Sequence, residues 1–421
     1  MLSHPLPSIL IFCFLKSSES ISLLTISKQM ISFDNTETAF SGKTGKDLNR
    51  SYWLFKLVGN PAVVNFGKSM TSLALALRLP IRGLIKATIF RQFVGGEDIL
   101  ECTQTIGELG KFNIGTILDY SVEGAETETA FDHCTRETLD TVAKAKGNPH
   151  IPFCVFKVTG LARFALLEKV SSRSVLNKEE EAELERVKVR VNEICERASL
   201  DSVPLFIDAE ESWIQQAIDD LANAMMYRYN KVHPKVFNTF QLYRKDRLDY
   251  LKESFRMAET GGYHLGAKLV RGAYMEKERA RALEKGYPDP IQEHKEATDA
   301  SYNAALDFCV AHISRMGICA GTHNEDSCMH LVNAMDAAGI VPSDNRIYFS
   351  QLFGMSDHIS FNLAKAGYQV VKYVPYGPVK EVLPYLIRRA QENTSVKGQT
   401  GRELSLIMKE KDRRRQEAGS R

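Results

Sequence analysis

Eight short apolar runs in this sequence each carry a polar side chain at or near their carboxyl end. Asp119 follows Ile114–Leu118, Lys157 lies near the end of Phe153–Val158, Asp208 follows Leu205–Ile207, and Gln241 follows Val236–Phe240. Arg271 and Tyr274 follow Ala267–Val270, Thr322-His323-Asn324 follow Ile318–Gly321, Gln351 lies just past Ile347–Phe349, and Tyr373 lies within Val370–Val374. A polar group buried without a partner costs on the order of 1–3 kcal/mol. Eight in register are therefore poorly explained by packing alone, and the pattern points to an enzyme. Arg388 and Arg389, further on, combine with Lys157 and Asp208 to suggest a cationic pocket for a carboxylate ligand, because the planar guanidinium suits that partner.

Each of these residues also has an ordinary reading. Lys157 and Asp208 form a structural ion pair in that reading, His323 is a satisfied core histidine, and Arg388-Arg389 are exposed helix arginines. Asp208-Ala209-Glu210-Glu211 then becomes the acidic start of a helix. The sum of the residues favours a site, but residue type and spacing do not separate a flavin enzyme from a Schiff-base aldolase using Lys157.

The elements that must position these residues follow from the texture around them. The eight runs are short, apolar and rich in β-branched residues, as strands buried on both faces should be. Amphipathic helices separate them; the clearest is Asn177–Ala198, whose acidic start and later basic residues complement a helix dipole. Regular alternation argues for a parallel α/β architecture. Eight units without a dinucleotide fingerprint favour a closed (β/α)₈ barrel, whose active site lies at the carboxyl ends of the strands.

An N-terminal helical segment precedes the barrel, with apolar spacing of three and four from about Asn49 to Phe93. Within it, Ile81–Phe93 carries Arg82, Lys86 and Arg91 at helical spacing, read as a solvated face over an apolar packing face rather than a membrane-lying stripe. Ser41-Gly42-Lys43-Thr44 is not a phosphate loop, since Glu37 stands where that motif needs its first glycine. The expected divisions are 1–29 as a leader or upstream extension, 30–96 as the helical segment, 97–408 as the barrel, and 409–421 as a charged, frayed tail.

At 421 residues with 44% hydrophobic and 25% charged side chains, the chain can bury a large core. Lys and Arg total 54 against 52 acids, and a net charge of +2 gives no electrostatic reason to expect nucleic acid as a partner. The eight cysteines form no CxxC and no zinc spacing, so no metal is expected and a reducing compartment is. Ser8–Leu15 is far short of the roughly 20 residues of a membrane span. No lysine or arginine precedes it and no arginine occurs before Arg50, so a secretory or mitochondrial leader is not indicated, and Met30 is the expected start.

Several ordered motifs carry a family likeness. Phe206-Ile-Asp-Ala-Glu210 is followed by Lys268-Leu-Val-Arg-Gly-Ala-Tyr274, Gly321-Thr-His-Asn324, Leu352-Phe-Gly-Met355, Lys372-Tyr-Val-Pro-Tyr-Gly377 and Tyr385-Leu-Ile-Arg-Arg389. From about residue 33 to 408 the sequence resembles the proline dehydrogenase family. The resemblance implies a distorted (β/α)₈ barrel that holds FAD non-covalently. It also implies oxidation of L-proline to Δ1-pyrroline-5-carboxylate, with electrons passed to a membrane quinone. By the family pattern Arg388, Arg389 and Lys157 grip the substrate carboxylate, and Tyr274, Leu352 and Tyr373 enclose the pyrrolidine ring. Asp208 sits beneath the substrate and helps order Tyr373 and the arginines. Gln241, Lys268, Val270, Gly272, Thr322 and His323 line the flavin.

A bulky Tyr373 resembles the proline-selective type and leaves little room for a ring hydroxyl. Lys268 stands where many bacterial members carry an arginine near the flavin N5, and Met275 where the bifunctional bacterial enzymes carry an aromatic residue. Both look closer to the monofunctional and mitochondrial-type branch. No aldehyde dehydrogenase domain follows, so a separate pyrroline-5-carboxylate dehydrogenase is expected for the next step. The expected location is the bacterial cytoplasm, peripheral to the inner membrane, with the mitochondrial matrix face as the alternative. The competing activities are a 4-hydroxyproline or other cyclic imino acid dehydrogenase on the same barrel, and a Schiff-base lyase using Lys157. A barrel scaffold that only binds an anion is the non-enzymatic alternative.

Overall fold

All eight apolar runs are strands: β1 (Ile114–Tyr120), β2 (Phe153–Lys157), β3 (Leu205–Asp208), β4 (Val236–Gln241), β5 (Leu265–Val270), β6 (Met316–Gly321), β7 (Ile347–Leu352) and β8 (Val370–Tyr376). The computed structural model describes residues 31–60, 82–121, 126–395 and 399–420, which lie in one compact unit, Ile31–Arg421. The expected leader lies outside them. The strands are all parallel, pair in chain order, and close by pairing of β1 with β8, so the architecture is the closed α/β barrel. Several strands run past the expected ends, as β7 does to Leu352, because the ladder continues through polar residues that an apolar pattern leaves out.

The helices are α1 (Thr36–Ala39), α2 (Gly45–Val58), α3 (Arg82–Ile85), α4 (Arg91–Phe93), α5 (Cys102–Gly110), α6 (Glu128–Ala145), α7 (Phe164–Ser171) and α8 (Lys178–Leu200). Then come α9 (Ser212–Tyr229), α10 (Arg247–Gly261), α11 (Met275–Lys285), α12 (Lys295–Ala311), α13 (Glu325–Ala337), α14 (Asp357–Lys365), α15 (Leu383–Ser395) and α16 (Gln399–Gly419). The helix expected at Asn177–Ala198 is α8. Asn177 accepts from the Glu180 amide while Glu180 accepts from the Asn177 amide, a reciprocal cap at its start. Its Val187, Val191, Ile194 and Ala198, at spacings of three and four, are buried.

Strand parity decides what faces the barrel axis. Ile117, Phe153, Val155, Phe206, Phe237, Cys319, Val371 and Tyr373 form the interior cluster. Phe153 stacks on Phe206 at 4.5 Å, and Phe237 meets both edge-on. Gly266 makes room for this layer, since a Cβ there would lie 2.7 Å from the Phe237 ring. Counting by twos from these residues toward the carboxyl ends reaches Asp119, Lys157, Asp208 and Gln241. The same alternation that fills the barrel floor therefore points these polar groups into its mouth.

A second core lies apart from the barrel wall. It joins Phe40, Leu48, Phe55, Phe90 and Phe93 from the N-terminal helices to Met355, Leu383, Leu386, Leu406 and Ile407. The helix after β8, α15, belongs to this core. Arg82 and Lys86 are tied to Glu97 at 2.6 and 2.7 Å, and Phe90 and Phe93 are buried beneath, so this stretch has a solvated, ion-paired face over a packing face. Thr44 caps α2 and Lys43 pairs with Asp357 at 2.8 Å, structural duties for the Ser41–Thr44 segment.

The segment expected as a frayed tail is instead the second half of α16. Glu410, fully buried, pairs with Arg413 and Arg414, and Arg414 donates to the Lys43 and Phe40 carbonyls. Charge density alone suggested fraying, but these charges are partnered. Among the described residues no helix is long and apolar enough to cross a membrane, and the seven cysteines described are unpaired thiols.

Candidate active site

At the carboxyl end of the barrel, β2 and β3 place Lys157 and Asp208 as register partners. Lys157 lies 3.6 Å from Asp119 and 3.7 Å from Asp208, between two carboxylates. Lys268, from β5, reaches across the axis and donates to the Asp208 carboxylate and, at 2.6 Å, to the Tyr373 hydroxyl. Tyr373 in turn donates to Asp208 at 2.9 Å, and the Lys268 ammonium sits 4.2 Å from its ring centroid. Asp208, Lys268 and Tyr373 are all buried. Burial by itself would raise the Asp208 carboxyl, but the charges of Lys268 and Lys157 and the two hydrogen bonds outweigh it and hold it below the ordinary carboxylate range. Burial and the facing Asp208 and Asp119 carboxylates push the Tyr373 phenol well above its ordinary value, so it stays neutral and donates.

The other expected residues lie at or just beyond the ends of β4 to β7, and on α15. Gln241 closes β4 and donates to the Glu210 carbonyl at 2.6 Å. Val270 ends β5, and the segment beyond it carries Gly272 and Tyr274. Gly272 has φ of 136°, and a Cβ there would lie 2.4 Å from the Tyr243 ring, so only glycine allows this bare stretch of backbone. Thr322 follows β6, accepting from Arg271 at 2.6 Å and from the Asn324 amide at 3.1 Å. His323 shares a hydrogen bond of 2.9 Å with the Ser356 hydroxyl. Burial of its ring and the neighbouring charges of Lys372 and Arg389 push its pKa down to about 3, so it is a neutral imidazole. Leu352 ends β7 beside Tyr373 in the ladder. Arg388 and Arg389 come from α15, and Arg389 is buried with its guanidinium 5.1 Å from the Tyr385 ring centroid. Its charge is among those that lower the His323 pKa.

The structure adds residues that the sequence reading did not assign. Asp119 anchors Lys157 and also accepts from Ser121 at 2.9 Å; its only signal was its place in the polar series. Glu210 is buried, accepts from the Thr159 amide at 3.0 Å and from the Thr159 hydroxyl, and so ties the β2 and β3 ends together. Burial raises its pKa to about 7. Arg271 spans from Asp299, at 2.7 Å, to Thr322 and Ser327, and braces the β5 end against the β6 end. Lys372 is fully buried on β8, pairs with Asp357 at 3.0 Å, and donates to the Met355 carbonyl in the turn after Leu352. A charged residue inside an apolar run was its signal.

A buried aspartate bridged by a lysine and a tyrosine thus lies at the carboxyl end of the barrel, with Leu352 beside Tyr373 in the ladder. In comparison with known proteins, residues 102–402 match the family model described as Proline dehydrogenase. The chain belongs to the proline dehydrogenase family. Mitochondrial proline dehydrogenase 1 of Homo sapiens is 44% identical over 256 residues, a match that takes in 60% of this chain and 42% of that protein. A hydroxyproline dehydrogenase of Xenopus laevis is 32% identical over 413 residues, 89% of this chain and 88% of the relative. Among solved structures, proline utilization A from Bdellovibrio bacteriovorus, inactivated by N-propargylglycine, superposes with a TM-score of 0.67 at 19% identity. That match covers 86% of this chain and 38% of the other, and it is a likeness of fold. The motifs that carry the likeness lie on or just after β3, β5, β6, β7 and β8 and on α15.

Proposed function

We propose that this chain oxidises L-proline to Δ1-pyrroline-5-carboxylate, by hydride transfer from the ring C5 to a non-covalently held FAD. The observation that carries the reading is Tyr373, held by Asp208 and Lys268 as a fixed wall at the mouth of the barrel. Lys157, Arg388 and Arg389 hold the substrate carboxylate, and Tyr274, Leu352 and Tyr373 enclose the pyrrolidine ring. Asp208 acts from beneath, fixing Tyr373 by hydrogen bond and Lys157 by charge. Holding C5 at near-attack distance is the main work required of the protein, and the apolar and aromatic enclosure keeps water away.

The donor set suits the cofactor. Gly272 offers bare backbone at the mouth, Lys268 a cation, Gln241 and Thr322 polar edges, Val270 an apolar contact, and His323 a neutral imidazole. These residues would hold the flavin, which supplies the hydride acceptor when bound. We further propose that the electrons pass to a membrane quinone through peripheral contact, and that a separate pyrroline-5-carboxylate dehydrogenase takes the product. The name of the human relative supports the mitochondrial alternative for location.

The Xenopus relative favours a second reading, 4-hydroxyproline as substrate. In this reading the fixed Tyr373 ring leaves little room for a ring hydroxyl, which argues for proline. A Schiff-base role for Lys157 is disfavoured by its place between Asp119 and Asp208, the reverse of the apolar or cationic setting that activates a lysine nucleophile. The test is the visible spectrum of the purified protein before and after anaerobic addition of L-proline. Bleaching with proline and not with other amino acids supports the reading. A flavin spectrum that ignores proline transfers the substrate to the second reading, and a protein still colourless after incubation with FAD refutes the cofactor.

A further inference from the structure

Glu278 has no exposed surface, although α11 (Met275–Lys285) is otherwise charged and largely solvent-facing. The helix that packs on β5 and β6 in the barrel wall is α12, which leaves α11 as an additional helix between β5 and that wall. Its first turn begins directly after Tyr274, and the Glu278 amide donates to the Tyr274 carbonyl at 2.9 Å. The Glu278 carboxylate crosses to the start of α9. One oxygen accepts from the Ser212 amide at 2.7 Å and the other from the Ser212 hydroxyl at 2.5 Å. Ser212 follows Asp208 within the same β3–α9 connection, and Glu211 beside it pairs with Lys277 at 2.9 Å. That flanking pair is exposed on the lysine side and contributes little. The Glu278 bonds are different, because a carboxylate on an orphan amide at a helix start is charge-assisted, and here it is shielded from water.

We propose that Glu278 is a positioning residue for substrate binding: it clamps the β5–α11 segment bearing Tyr274 onto the β3–α9 segment bearing Asp208. The clamp fixes the spacing across the pocket between the tyrosine that covers the ring and the aspartate beneath it. This rests on the proline dehydrogenase reading of the site, in which Tyr274 encloses the substrate. Neither Glu278 nor Ser212 touches substrate in that arrangement, so both act through the segments they join.

The experiment compares the unmodified full chain with Glu278→Ala, Glu278→Gln and Ser212→Ala, each supplied with FAD. Two readouts are taken: amide hydrogen exchange over residues 209–215 and 271–285, and the kcat and KM for L-proline. Glu278→Ala should speed exchange in both segments and raise KM about tenfold, with kcat within about threefold. Ser212→Ala removes one of the two bonds and should raise KM about threefold, adding nothing in the Glu278→Ala background. Glu278→Gln keeps one acceptor oxygen and should bring KM back to within about threefold of the unmodified protein. Unchanged exchange in both segments overturns the clamp, and faster exchange with unchanged KM overturns the positioning role. If Glu278→Ala fails to fold, Glu278→Gln and Ser212→Ala decide the matter by the same two readouts. Failure of the unmodified protein to oxidise proline strikes the functional reading alone, because exchange still reports on the clamp.

Discussion

Replacing Lys268 by methionine removes the one ammonium that bonds both Asp208 and Tyr373. The Asp208 carboxylate is then left buried with the Tyr373 hydroxyl and with Lys157 at 3.7 Å. Removing one partner of a buried ion pair costs about 3–5 kcal/mol. Because those two partners remain, the lower end, about 3 kcal/mol at neutral pH, is expected. The sign of the pH dependence follows from Asp208, whose folded carboxyl is held below its ordinary value. Its stabilisation is present above about pH 4 and is lost as pH falls through the folded pKa. The deficit of Lys268→Met should therefore be full at pH 7 and shrink in acid. Urea unfolding followed by the fluorescence of Trp53 and Trp213 measures it, without and with FAD. Asp208→Asn and the double variant complete a cycle, in which a coupling of about 2–3 kcal/mol is expected because the double variant buries no unpaired charge. A coupling below about 0.5 kcal/mol would refute the argument that this pair organises the barrel mouth.

Arg388→Met and Arg389→Met should each raise the proline KM about ten- to a hundredfold, as loss of a charge-assisted contact does, with FAD still bound. Unchanged steady-state constants in either variant would remove that arginine from the site. Tyr373→Ser should shift the kcat/KM ratio toward 4-hydroxyproline, and an unaltered preference would show that this ring does not set selectivity. Glu210 has a folded pKa raised by burial to about 7, so its contribution to stability is full in acid and declines as pH rises from about 4 toward 7. Glu210→Gln should flatten that decline in a comparison of urea midpoints at pH 5 and 7.5, and an identical pH slope in both proteins would exclude Glu210 as its source.

The sequence by itself determined the eight strands and the closed parallel barrel, because burial on both faces leaves a local apolar signature that needs no partner to be read. It also marked strand ends that carry polar side chains, since Asp119, Lys157, Asp208 and Gln241 interrupt that signature. It suggested the arginines of α15 for a cationic pocket but gave them a role only through family likeness, because two adjacent charges on a helix look the same whether buried or solvated. What the tertiary structure decided was who meets whom. Lys268, Asp208 and Tyr373 come from β5, β3 and β8, and only closure of the barrel and the register of its ladders brings them within hydrogen-bond reach. Glu278 is indistinguishable in sequence from the solvated acids around it, and its burial exists only because α11 leans across to Ser212. The frayed tail failed as an expectation for the same reason. Local composition reports how much charge a segment holds, but whether that charge is solvated or paired is set by elements far away in the chain.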